Sequence, residues 1–469
     1  MIPEHPEVLQ ASDLQVSPSS YVDPNGFVFQ HRGGYYRAIY KHATGFYRAL
    51  FDNGTVDRLV AGHALVPTEM TDIRLDDPAI GMVLKHEAVE PLNYCVEWCP
   101  SMLRDAGLAL LDLSLAILDQ ECILQDCYPW NVVFRGTQPV IVDFTSLTKA
   151  ETPLLWPAYE QFRAFFVRPL QLCSQGKGKA VRALLSNNIL GVSAEDLQLF
   201  SGTAYRWMHP SAGIEARMDS MLRKHPRWQS GLRKRLAQQH SKPDSGMRKR
   251  FLTGLQKKLA SFAFGGKNDI WASYYAQMDP SVDRKKKLET VENILRELRP
   301  QTVLDLGSNT GVFSAIAASQ GCRVVALDSS EACMEQLYAN ARERKLHITP
   351  LLADLYCPTP PGGFMARQYP GLLDRVGSEL VLCLGLMHHL HITGRQSLQR
   401  IADFSAGLAQ KHLVFEYVAA EDDNSVLLTA GRPIQYSLDD VQKELGRHFG
   451  RVDCVPSDRP TRMILICSK

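Results

Sequence analysis

Apolar positions along the 469 residues keep one rhythm in the first half and another in the second. The clearest block lies late. Residues 302–306 are a short apolar run rich in strand formers, too short for a helix, and so predict a buried strand. A polar turn follows, Asp305-Leu306-Gly307-Ser308-Asn309-Thr310-Gly311. Val312, Phe313, Ile316 and Ala317 then recur at helical spacing up to Gly321, which can stop a helix in the left-handed conformation. Further strands are predicted over 323–327, 348–352, 379–384, 412–417 and 463–467, with helices over 331–344 and 438–449. Ahead of the block, a short helix carries Trp271, Tyr274 and Tyr275 on one side, another covers 285–298, and Phe264-Gly265-Gly266-Lys267 reads as a hinge. Strands alternating with helices predict an α/β domain over 267–469, a Rossmann-like sheet of seven strands in outline.

The first half reads as α+β. Residues 1–25 are rich in Pro and Ser and are expected to be irregular. Residues 35–40 and 46–51 alternate like strands, with Asp52-Asn53-Gly54 as a hairpin turn, and 80–85 forms another strand. A helix over 102–118 places Asp105 and Asp112 on its polar side. The stretch 153–235 is mostly helical, its aromatic residues Trp156, Phe162, Phe165, Phe166, Tyr205, Trp207 and Trp228 expected in the core. This gives a domain over 1–216, a basic helical linker over 217–266 and the α/β domain beyond.

Composition changes little of this, but charge does. Between Arg217 and Lys258 thirteen Lys and Arg face only Asp219 and Asp244, a local +11 in a chain of net charge +2. Such a belt invites a nucleic-acid reading through 217–258, but no RNA- or DNA-binding motif accompanies it, so a solvated helix face is expected. Eleven cysteines lack CxxC pairs and clustered histidines, so neither a disulfide scaffold nor a zinc site is expected, and a reducing cytoplasm is. Residues 106–118, broken by Asp112, are the longest apolar candidate, and no membrane span is expected. The amino end has no signal-peptide core. Oligomeric state is not indicated.

The turn at 305–311 is where chemistry enters. Gly307 and Gly311 lack a Cβ, so a ligand can approach the backbone closely, and Asp328 at the next strand end can accept both ribose hydroxyls of a nucleoside. The three glycines of GxGxxG cannot be placed here, which argues against NAD. The stretch resembles motif I of the class I S-adenosylmethionine (SAM) methyltransferases. That resemblance implies SAM as cofactor, held by Asp305, Gly307, Ser308, Asn309 and Gly311, with Asp328 on the ribose, Asp354 and Leu355 at the adenine, and Tyr274 or Tyr275 closing over it. Ligands of such sheets bind at the carboxyl ends of the strands, where Gly385-Leu386-Met387-His388-His389-Leu390 falls. His388 and His389 are candidate bases, because imidazole titrates near neutrality, and Glu416 on the same face could orient one of them. The long Pro/Gly stretch 356–375 is expected to form part of a substrate rim.

In the first half, LQDCYPWNVVF followed by PVIVDF resembles a protein-kinase catalytic loop: Asp126, Asn131 and Asp143 have the spacing of its base and two metal-binding residues. The departures are the missing His-Arg before Asp126, the missing glycine after Phe144, no phosphate-covering glycine loop, and Lys85 as the sole, late lysine candidate. A degenerate kinase-like module used for binding or scaffolding is expected. Together with EWCPSMLRDAGL, LMHHL and VFEYV, these stretches resemble a bacterial family of two-part proteins that ends in a SAM methyltransferase and includes rhizobial host-specific nodulation proteins of the Noe group. The resemblance implies O- or N-methylation of a small molecule, a saccharide signal or its precursor among them. An RNA or protein methyltransferase and a non-catalytic scaffold stay open as alternatives.

Overall fold

Alternating burial builds the first sheet of the computed structural model, which describes residues 7–20, 23–208, 210, 213–214, 216–218, 221, 243–264, 284–429, 432 and 434–469. Strands β1 (Gln15–Val16), β2 (Gly26–His31) and β3 (Gly34–Tyr40) are followed by helices α1 (Lys41–Asp52) and α2 (Thr55–Ala61) and strands β4 (Thr68–Met70) and β5 (Ile80–His86). The strands pair antiparallel in the order β1-β2-β3-β5-β4. The strand expected over 46–51 is instead the second half of α1. Ala43, Tyr47 and Leu50 lie one helical turn apart and are buried together, and that shared face outweighs the β propensity of the aromatic residues. Gly54 makes no hairpin; it takes φ of +69° at the start of α2.

Helix α3 (Pro100–Ala116) forms the core of the first half and opens on proline, whose missing N–H costs nothing at a helix start. Asp105 is not on a solvated face as expected. It is buried, accepts a hydrogen bond from the Tyr338 hydroxyl at 2.8 Å and pairs with Arg342. Strand β6 (Cys122–Leu124) precedes the hairpin of β7 (Val132–Arg135) and β8 (Gln138–Ile141), which brings Asn131, just before it, beside Asp143, just after it. Helix α4 (Ser245–Ala260) packs on α3, so closely that a Cβ at Gly107 would stand 2.8 Å from Leu259 Cδ2. The linker is thus partly core, and the basic belt is not wholly a solvated face. Arg248 is buried and donates to the carbonyls of Leu155, Thr152 and Ala150, whereas Lys249, Arg250, Lys257 and Lys258 are exposed.

The second half runs α5 (Arg284–Leu298), β9 (Thr302–Leu306), α6 (Val312–Ser319), β10 (Arg323–Asp328), α7 (Glu331–Glu343), β11 (Ile348–Leu352), β12 (Ser378–Cys383), α8 (Leu398–Leu408), β13 (Ala409–Val418), α9 (Asp423–Thr429), α10 (Leu438–Leu445), β14 (Arg451–Pro456) and β15 (Arg462–Ser468). Its seven strands are ordered β11-β10-β9-β12-β13-β15-β14, parallel except at β15, which runs against both its neighbours. The chain reverses its direction of travel across the sheet between β9 and β12, opening a crevice at their carboxyl ends. Six strands lie where the apolar runs predict them. The seventh, β14, escaped because it is an edge strand of half-buried residues carrying Asp453 and Pro456, without the continuous apolar run of a central strand. Trp271, Tyr274, Tyr275 and the hinge glycines lie outside the described residues.

The halves share one hydrophobic cluster, which runs from Leu50 and Met102 through Leu259 to Leu304 and Val414. Polar contacts fix their register. Glu335 accepts from the Ser101 amide at 2.7 Å, Arg182 pairs with Glu331 at 2.6 Å, and the Gly136 amide donates to the Thr349 hydroxyl at 3.0 Å. Arg375, ending the stretch 356–375, is buried against the fully buried Glu97 and lies 4.4 Å over the Tyr94 ring.

Candidate active site

The turn after β9 is built from left-handed residues: Gly307 has φ of +69°, Asn309 +52° and Gly311 +78°. The Ser308 amide donates to Leu327 O at 2.9 Å and the Gly311 amide to Ser308 O at 2.9 Å, which ties the turn to β10 and closes it. Asp328, at the end of β10, is aimed by two amides: Asn309 N donates to Oδ2 and Ser330 N to Oδ1, each at 2.8 Å.

These groups line a cavity of about 680 Å³ at the switch point. Asp305, Gly307, Ser308, Asn309, Asp328, Asp354 and Leu355 all line it, as do His388 and His389, so nine of the sequence-predicted residues meet in one place. The volume suits a drug-sized ligand with a few fixed polar groups, and SAM fits such a space. Asp305 is buried under the turn, accepts from the Ser314 hydroxyl at 2.6 Å, and is pushed up to about 6 by burial. Asp354 is exposed at the rim and holds the Tyr356 amide at 2.9 Å. Gly311 does not line the cavity. It sits behind the turn, where a Cβ would stand 2.2 Å from Leu337 Cδ1, so its task is to let α6 start against α7.

His388 is 1% exposed, and neither ring nitrogen has a hydrogen-bond partner. Burial, with the nearby His389, pushes its pKa down to about 3. The His389 ring lies 4.2 Å away, is half-buried, and is also lowered by burial. Both sit where the chain enters a π-helical turn, His389–Thr393, a distortion that is frequent at functional sites. Glu416 does not orient an imidazole as expected. It is fully buried and takes Lys287 Nζ at 2.7 Å on one oxygen and the Ser457 hydroxyl at 2.6 Å on the other. Tyr356, the first residue of the stretch expected at the substrate rim, lines the cavity too, as do Lys287 and Arg462, which went unread in the sequence. Lys287 closes the run Lys285-Lys286-Lys287, which looks like a solvated helix start, and only the fold shows which of the three turns inward.

If Asp328 holds the ribose, Asp328→Ala should weaken SAM binding by about 1 to 3 kcal/mol. Calorimetric titration tests this, and an unchanged affinity would place the ribose elsewhere.

In the first half, Asp126, Asn131 and Asp143 do come together. Asn131 Nδ2 is 3.3 Å from Asp143 Oδ2, Ser146 also donates to that oxygen, and Asp126 is pushed up to about 6 by burial and by the charge of Asp143. Lys85 does not join this group: it is exposed and pairs with Glu69 at 3.1 Å. The cation beside Asp143 is Arg37 of β3, buried, with Nη2 3.0 Å from Oδ1. Among the described residues no group of three or more His, Cys, Asp or Glu is arranged to hold a metal ion, and no helix is long and apolar enough to cross a membrane. None of the eleven cysteines is joined in a disulfide.

No protein-family model matches the chain. The nodulation protein NoeA of Rhizobium meliloti (strain 1021) is 27% identical over 372 residues, 76% of this chain and 74% of that protein. Among solved structures, the bifunctional kinase-methyltransferase WbdD is 20% identical over 43% of this chain and 42% of that one, with a TM-score of 0.30, so the match spans less than half of that protein. The magnesium protoporphyrin IX methyltransferase ChlM of Synechocystis PCC 6803, with bound SAH, is 18% identical over 46% of this chain and 94% of that one, also at 0.30. Likenesses that weak carry no argument here. The chain is similar to NoeA over three quarters of its length, and the glycine turn, the acidic strand end and the sheet order expected of a SAM-binding α/β domain are all present.

Proposed function

We propose that the second half transfers the methyl group of SAM to a hydroxyl or amine of a small molecule, and that this acceptor is a saccharide signal, such as a nodulation factor, or its precursor. The observation that carries the reading is the meeting, in one cavity, of the glycine turn, the amide-aimed Asp328 and the unpartnered His388. The saccharide rests on the nodulation relative alone. When bound, SAM supplies a methyl on an already activated sulfonium. The chain's own residues then have two tasks. The turn and Asp328 fix the nucleoside end, and the strand ends around 385–390 hold the acceptor in line. A neutral His388 accepts the hydrogen bond of the acceptor's hydroxyl and takes its proton as the new bond forms. Tyr356 is braced against this loop, its hydroxyl donating to His389 O at 2.9 Å.

The test is to incubate the purified chain with methyl-labelled SAM and, separately, the small-molecule, RNA and protein fractions of its host. Label in the small-molecule fraction supports the proposal. Label in RNA or protein would overturn it in favour of a macromolecular acceptor gripped by the basic belt.

For the first half we propose a kinase-like module that no longer transfers phosphate. Arg37, Asn131 and Ser146 already satisfy the carboxylate of Asp143, and a buried guanidinium stands where a metal–phosphate complex would need room. No ATP turnover is therefore expected with Mg²⁺ or Mn²⁺. Phosphoryl transfer that disappears in Asp143→Ala would refute this.

A further inference from the structure

We infer that Lys287 binds the carboxylate of the cofactor's amino-acid tail, an inference that rests on the SAM reading of the cavity. Lys287 projects from α5 and lines the cavity together with Asp305, Gly307 and Phe313. Its ammonium lies 5.3 Å above the Phe313 ring, and its side chain is 12% exposed. The fully buried Glu416 receives one of its hydrogens at 2.7 Å. An ammonium has three donors, so this bond aims the group without exhausting it. The second oxygen of Glu416 is occupied by Ser457, which fixes the carboxylate in turn.

Charge balance points the same way. With Asp305 and Glu416 beneath it, this end of the cavity is rich in carboxylates, which suits the ammonium and sulfonium of SAM but not the tail's carboxylate. That group needs a cation. Among the described lining residues two carry a full positive charge, Lys287 and Arg462. Arg462 commits Nε and Nη2 to Asp422 at 2.9 and 3.0 Å, and its charge is felt by His388 and His389, at the acceptor end. Lys287 is the cation at the glycine-turn end. An ammonium already held in place loses little entropy when the carboxylate arrives.

Two ligands separate this role from general packing. S-adenosylhomocysteine carries the tail, and 5′-methylthioadenosine has the same nucleoside and thioether without it. Titrated calorimetrically into the full chain, Lys287→Ala should lower the affinity for the first at least about tenfold and leave the second within about twofold, as expected for loss of one charge-assisted hydrogen bond. Lys287→Arg should restore most of the difference. If Lys287→Ala fails to fold because Glu416 is left buried and unpaired, the double variant Lys287→Met with Glu416→Gln removes both charges, keeps an acceptor for Ser457, and should show the same selective loss. Equal weakening of both ligands, or no weakening of either, would overturn the inference. A wild-type chain that binds neither ligand would overturn the SAM reading itself, and this inference with it.

Discussion

Gly307→Val should reduce SAM and S-adenosylhomocysteine binding at least about a hundredfold while the chain still folds. The backbone there has φ of +69°, a conformation that a β-branched residue takes only under strain of about 1 to 3 kcal/mol. The first added carbon is tolerable: it would stand 3.4 Å from Leu386 Cδ1, ordinary contact. The two methyls beyond it would crowd Leu386 and the cavity that both residues line, the space proposed for the cofactor. Gly311 makes the contrast. Its Cβ would stand 2.2 Å from Leu337 on α7, inside the core, so Gly311→Ala should lower the melting temperature first and lose the ligand as a consequence. Calorimetry and thermal melts on both variants decide. Wild-type affinity in Gly307→Val would mean that the turn does not face the cofactor.

The contrast between the two glycines also shows what a sequence can and cannot carry. Both belong to one motif and both need a left-handed backbone, which the spacing announces. That one lines the cavity and the other faces Leu337 depends on how α7 packs, a long-range fact that spacing does not record. The same divide runs through the site. Asp328 was legible because a strand end followed by a helix is a local pattern, and His388 because its strand is a clean apolar run. Glu416 was legible as a carboxylate on the right face, yet its partner was not. The ion pair joins β13 to a lysine 129 residues earlier, and nothing in VFEYV or RKKKLE marks the two for each other. In the first half, Asp126, Asn131 and Asp143 were legible through their resemblance to the spacing of a kinase catalytic loop, which the hairpin of β7 and β8 turns into proximity. Arg37 was not, because it reaches Asp143 from another sheet. The misread helix α1 is the reverse case, in which aromatic side chains gave a local strand signal that burial of one helical face overrode.

Replacing His388 should have the other large effect, on turnover rather than on binding. At saturating SAM and with the acceptor identified, His388→Ala is expected to lose about a hundredfold or more in turnover with SAM affinity unchanged, and His389→Ala to lose much less. The distinction comes from burial. His388 is enclosed with both nitrogens unpartnered, so a hydroxyl entering the cavity would supply its missing hydrogen bond, whereas His389 is partly open. Because the folded pKa is about 3, the ring is neutral throughout the working range, and turnover should show no acid limb near the ordinary value of 6.5 from this group. The same shift acts on stability. Between about pH 3 and 6.5 the unfolded chain binds a proton at this histidine that the folded chain does not. Stability therefore rises with pH across that window and levels off above it. Urea midpoints at pH 5 and pH 7.5 should differ less in His388→Ala than in the wild type. Should both histidine variants keep wild-type turnover, neither imidazole takes the proton, and methyl transfer here would rest on positioning alone.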